Sequence, residues 1–314
     1  MDERERRTLE QGLERYFEAY ESSQSLASEL IRRREHPIDL LILLCARLDA
    51  LASDASSEEL SHRERFSRFI THYGSHRQLF EAVSIPDLYY EIGFHRWRLE
   101  QTISAPGRLH RYGRLDDAFL HLIEDSGLPL TVKEMDRMLD TVTRILEGNF
   151  RAKARQPLSK SRTASVTRLK ELIESAVRKT RLRRIANRLP SALRPLMDRA
   201  RVSIILYERF RCESIHGASV RIDNRRFFSE QSVYWKPIYP IYAGRKYELL
   251  EFSANFLLDC LKTCIGGYRN HLLAKGKVPH GIYFHAFEDA WSMLHFLDED
   301  SLSDGGAVRL KFDR

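Results

Sequence analysis

Apolar residues recur at Leu9, Leu13, Phe17 and Tyr20, and again at Leu26 and Leu30, close to a helical repeat. Residues 1–35 are therefore read as one helix, charged on its other faces. His36-Pro37 breaks the pattern, and a proline suits the first turn of the next helix. Asp39 near that start faces the positive end of the helix dipole. Ile38 to Leu51 is apolar almost all round, which places this helix at the centre of a bundle. A polar loop, Ser53 to Ser57, leads to a helix from about Glu58 to Tyr73. It carries Phe66, Phe69, Ile70 and Tyr73 on one side and stops at Gly74.

Further along, aromatics cluster around Pro86 and predict short helices over residues 76–105. Ser104-Ala105-Pro106-Gly107 is a break. Leu115 to Glu124 and Val132 to Leu146 read as two more helices, and Gln156 to Ser161 as a linker. Helical stretches follow at about 164–188 and 192–212. Beyond Gly217, Ala218 to Ile222 and Arg226 to Phe228 predict a short hairpin with Asp223-Asn224 at its turn. Phe252 to Leu273 returns to helical spacing, and Val308 to Phe312 reads as a strand.

Composition narrows the class. The chain has 314 residues, 43% hydrophobic and 30% charged, enough for one large domain or two ordinary ones. Met1 to Arg7 contains no apolar signal region, so a cytoplasmic location is expected. No apolar run approaches the roughly 20 residues needed to span a bilayer, so no membrane partner is expected. The four cysteines form no CxxC pair, which fits a reducing compartment. The net charge of +7 is unevenly spread. Residues 151–201 hold about 16 Lys/Arg against about 3 Asp/Glu, a block of roughly +13. Such a block points to a polyanion, with Arg181, Arg183, Arg184 and Arg188 as nucleic-acid contacts. A solvated helical connector is the bland alternative.

The segment richest in chemistry is Leu206-Tyr207-Glu208-Arg209-Phe210-Arg211-Cys212-Glu213-Ser214-Ile215-His216-Gly217. It resembles the signature of HEPN domains, helical bundles that carry Arg, four to six residues, then His. Asp39 to Ala52 is similar to that family's first long helix, Arg65 to Tyr73 to its second, and Phe252 to Leu273 to its last. The resemblance implies a mainly α fold: a HEPN-like helical bundle with a large helical insertion and a short β-hairpin after the motif. On this mapping, 1–36 is an N-terminal helix. The core is 37–94 plus 195–275, the insertion with the basic segment is 95–194, and the tail is 276–314. Cys212 stands where the family usually carries Asn, Asp or His.

The resemblance also implies a function, a metal-independent endoribonuclease of bacterial defence or a toxin-antitoxin system. It needs no cofactor and leaves a 2′,3′-cyclic phosphate and a 5′-hydroxyl. The residues suit that chemistry. A histidine near its usual pKa of about 6.5 moves the protons of a 2′-hydroxyl attack. A guanidinium holds two phosphoryl oxygens and stabilises the transition state. His216 is thus the acid or base and Arg211 the stabiliser. Glu213 orients His216, and Arg209 is a neighbouring phosphate contact. On an ideal α-helix, five residues turn a side chain by about 140°, so Arg211 and His216 diverge. They converge through an unwound last turn at Gly217 or across two protomers. The implied partners are RNA, a second copy in a homodimer, and an antitoxin or defence-system protein.

Two other function classes compete. One is a HEPN-like module that binds RNA or protein without cutting. The other is a DNA-binding regulator using the basic helices at 164–201. Tyr234 to Tyr242 reads as a packed aromatic loop whose rings stack bases if exposed. His280, His285 and His295 near Glu288 and Asp289 match no metal spacing, so no metal is expected. Cys260 and Cys264, one turn apart, read as core thiols.

Overall fold

The computed structural model describes residues 3–56, 59–104, 139–148, 162–177, 193–212, 222–239 and 247–279. They are mainly helical. In chain order they form α1 (Glu3–Arg33), α2 (Pro37–Asp54), α3 (His62–Tyr73), α4 (Arg77–Phe80), β1 (Val83–Ser84) and α5 (Ile85–Ser104). A helical stretch at 139–148 follows, then β2 (Thr163–Ala164), α6 (Val166–Val177), α7 (Arg194–Arg199) and α8 (Val202–Ile205). A π-helix (Leu206–Cys212), α9 (Asn224–Phe227), β3 (Val233–Ile238), β4 (Tyr247–Phe252) and α10 (Ala254–Lys275) complete the order. The chain divides into two compact units. The first is Met1–Arg77 with Leu206–Ser232 and Phe252–Arg314, and the second is Gln78–Ile205 with Val233–Glu251.

In the first unit, α2 packs against α1, α3, α10 and the π-helix, as its all-round apolarity predicts. Leu41, Leu44, Leu48 and Leu51 are fully buried, each contributing about 1.5–3 kcal/mol relative to exposure. α1 contributes Leu9, Leu13 and Phe17, and α10 contributes Leu257, Leu261 and Cys264. Arg34 takes a left-handed conformation at φ 58° and ends α1 as glycine usually does. The backbone N–H of Glu35 then reaches the Leu30 carbonyl at 3.1 Å. α3 starts at a capping box: Ser61 accepts from the Glu64 N–H, and the Glu64 carboxylate accepts from the Ser61 N–H. Tyr16 donates to Asp54 at 2.6 Å and Tyr268 donates to the Asp54 carbonyl at 3.0 Å, tying α1 and α10 to the end of α2.

The second unit has its own core. Leu88 and Ile92 of α5 meet Val142 and Leu146, Leu169 and Ile173 of α6, and Leu196 and Met197 of α7. Pro86 sits in the first turn of α5, which runs for 20 residues where short helices were expected. β1 and β2 pair antiparallel, with Val83 opposite Ala164 and Ser84 opposite Thr163. The buried carboxylate of Asp87 accepts from the Ser84 hydroxyl and from the Leu250 N–H at 3.1 Å.

Two local expectations are corrected. The stretch 192–212 is not one helix. The Ser84 N–H bonds the Ala200 carbonyl and the Val202 N–H bonds the Ala82 carbonyl, so the chain leaves helix there to pair beside β1. The hairpin expected at 218–222 and 226–228 also fails where it is described. Asp223 accepts from the Arg226 N–H and caps α9, so residues 224–227 are helical. Asp favours helix N-caps and turns alike, and a single Asp-Asn pair does not distinguish them. The paired strands that follow the motif are β3 and β4. The helix at Leu115 to Glu124, the linker at 156–161 and the strand at 308–312 lie outside the described residues.

Candidate functional site

Arg211 is carried on the π-helix, whose hydrogen bonds close from i to i+5. Phe210 on the same segment packs edge-on against Phe252 at 5.0 Å, and Tyr207 packs against Phe66 of α3 at 5.4 Å. These rings anchor the segment, and Glu208 adds an exposed pair with Arg63 at 3.0 Å. Arg211 turns inward. Its Nη2 donates to Oδ2 of Asp49 on α2 at 2.7 Å. Its guanidinium carbon lies 5.3 Å from the centre of the Tyr207 ring. The side chains are 13% exposed for Arg211 and 21% for Asp49, so the pair is largely withdrawn from water. A cation over an aromatic face gains about 0.5–2 kcal/mol, more as it is desolvated.

The site thus brings Arg211 together with Asp49 and Tyr207, not with Glu208, whose carboxylate meets Arg63. Arg209 lies half-buried on the same π-helix. His216, Glu213, Arg181, Arg183, Arg184 and Arg188 lie outside the described residues. Asp49 and Tyr207 had no role in the sequence reading. The available signal was Asp49 itself, an acid on the nearly apolar face of α2, where an ionised carboxylate needs a cation partner. No local signal marked the π winding.

Tyr234 and Trp235 are buried in β3, and Tyr239 beyond it is 72% exposed. Arg162 stands 5.1 Å from the Trp235 ring and pairs with Glu248 at 2.6 Å. Cys260 and Cys264 are buried core thiols. Burial and the nearby Asp259 push the Cys264 thiol up to about 12, and burial pushes Cys260 well above its usual range. Among the described residues, no three His, Cys, Asp or Glu side chains are arranged to hold a metal. The set around His280 lies outside them. No helix among the described residues is long and apolar enough to cross a membrane.

Compared with known proteins, the chain matches no family model, no curated protein and no solved structure.

Proposed function

We propose that this protein is a HEPN-like endoribonuclease that cleaves single-stranded RNA without a metal, in a bacterial defence or toxin system. One observation carries the reading: Arg211, the arginine of the Arg-x4-His signature, sits on a π-helix and is held in place by Asp49 and Tyr207. π windings occur frequently at functional sites. A guanidinium already held in place loses little freedom when it meets a phosphate. In this reading His216 moves the proton, Arg211 stabilises the pentacoordinate state, and Asp49 is a positioning residue.

The test is cleavage of labelled single-stranded RNA with EDTA present. His216→Ala and Arg211→Ala should each lower the rate by about 10²- to 10⁴-fold. Arg211→Lys should fail as well, because an ammonium makes no two-pronged contact. Undiminished cleavage by His216→Ala, or loss of cleavage in EDTA, removes the mechanism.

A second reading, a module of the same type that binds RNA or protein without cutting, is favoured by that same ion pair. A guanidinium neutralised by Asp49 and withdrawn from solvent is also what a purely structural arginine looks like. Together with Cys212 in place of the usual polar residue, it makes an inactive parent protein the expected result under this reading.

A further inference from the structure

The C-terminal end of α3 meets α10 at Gly267. A Cβ there would stand 2.6 Å from the Tyr73 carbonyl oxygen, so glycine is what lets the two helices come this close. The approach gathers three rings. His72 lies 4.6 Å from Tyr73, Tyr73 lies 5.5 Å from His271, and the two imidazoles are 6.1 Å apart. Phe69 and Tyr268 back Tyr73 at 5.1 and 5.2 Å, and both are buried. The cluster therefore has a firm inner wall and an open outer side, where His72 is exposed and His271 partly so.

Two lysines join it. Lys275 follows His271 by one turn on α10 and is exposed. Gly276 then turns left-handed at φ 64°, and the Lys277 N–H bonds the Leu272 carbonyl at 3.0 Å, which folds Lys277 back beside the helix end. The described charged groups that act on His271 are cations. Partial burial, then His72, Lys275 and Lys277, hold the His271 pKa below the usual histidine range. A helix C-terminus accounts for one or two cations. It does not account for two imidazoles and a tyrosine ring in the same patch.

We propose that His72, Tyr73, His271, Lys275 and Lys277 form a binding site for single-stranded RNA. The imidazole and ammonium N–H groups take a backbone phosphate, and the adjoining base stacks on the rings. A phosphate relieves the mutual repulsion of the cations, and an aromatic face accepts a stacked base of any sequence. The inference rests on the reading of this protein as one that acts on RNA, but not on cleavage.

The experiment measures anisotropy of a short fluorescein-labelled oligouridine with the full chain at low salt. His72→Ala/His271→Ala and, separately, Lys275→Gln/Lys277→Gln should each weaken binding by about tenfold, with a shallower salt dependence where phosphate contacts are lost. The lysine pair lies at the solvent-facing helix end, so it tests the site even if the histidine pair disturbs folding. Unchanged affinity in both variants, or no binding by the parent, overturns the site. Equal weakening toward duplex DNA overturns the assignment to single-stranded RNA. The cleavage assay is read separately. An RNA-binding parent that never cleaves removes the nuclease and leaves this site standing, whereas a parent that cleaves while both patch variants bind oligouridine unchanged removes this site and leaves the nuclease.

Discussion

Arg211 and His271 both belong to the first compact unit, and their surroundings treat positive charge in opposite ways. Arg211 points inward, where Asp49 neutralises it and Tyr207 covers it. His271 has cations as its charged neighbours and remains partly open to water. The first arrangement fixes a side chain, and the second gathers positive charge around a partly exposed imidazole. A desolvated charge needs a partner inside the protein, whereas an exposed patch tolerates repulsion because water screens it. An arginine in a recognisable motif is therefore not by itself a binding surface. Histidines outside any motif form the surface proposed here for RNA.

The sharpest way to break this contrast is at the Arg211–Asp49 pair. Removing one partner of a buried pair costs about 3–5 kcal/mol, while replacing both with apolar residues is often neutral. With both side chains slightly open, Asp49→Leu and Arg211→Met should each cost about 2–3 kcal/mol by urea denaturation. The double variant should cost less than either. Additive losses would mean that the two side chains do not act as a pair.

Gly267→Ala comes next. Its methyl group would press on the Tyr73 carbonyl, backbone that cannot swing aside. The expected loss is about 1–3 kcal/mol, with weakened oligouridine binding as α3 moves away from α10. A stable variant with unchanged binding would separate the patch from the helix approach.

Tyr16→Phe removes the 2.6 Å bond to Asp54 and should cost about 1.5–3 kcal/mol at most. It lies outside both charged regions, so RNA binding and cleavage should not change. A change in either would show that the region around Asp54 contributes to function.

The smallest effect is a pH dependence. The folded pKa of His271 is depressed below its unfolded value of about 6.5. Its contribution to stability is therefore complete above that value and is lost as pH falls through the folded pKa. Between pH 7.5 and 5.5 the parent should lose slightly more stability than His271→Gln, read from urea midpoints. Equal pH dependence in parent and His271→Gln would mean that the cationic neighbours do not act on His271.

Much of the fold was legible because it depends on the local spacing of apolar residues. The stripe from Leu9 to Tyr20 marks α1, the apolar run after Pro37 marks the central α2, and Phe256 to Cys264 marks α10. The one-turn spacing of Cys260 and Cys264 likewise marked core thiols. Less was legible between 192 and 230. There, backbone pairing beside β1 interrupts a helical pattern, and one Asp served as a cap where a turn was expected.

The candidate sites divide in the same way. The sequence by itself determined which residues can do phosphate chemistry, because guanidinium, imidazole and ammonium groups carry that capacity wherever they stand. It also placed Arg211 five residues before His216. Only the tertiary structure decided that Asp49, 162 positions away, neutralises Arg211. It alone brought His72 and His271 within 6.1 Å of each other. The physical reason is that helix periodicity is fixed by neighbours within a turn or two. The partner of a charge is fixed by how distant helices pack, here by α2 reaching the π-helix and by the glycine that lets α3 and α10 touch.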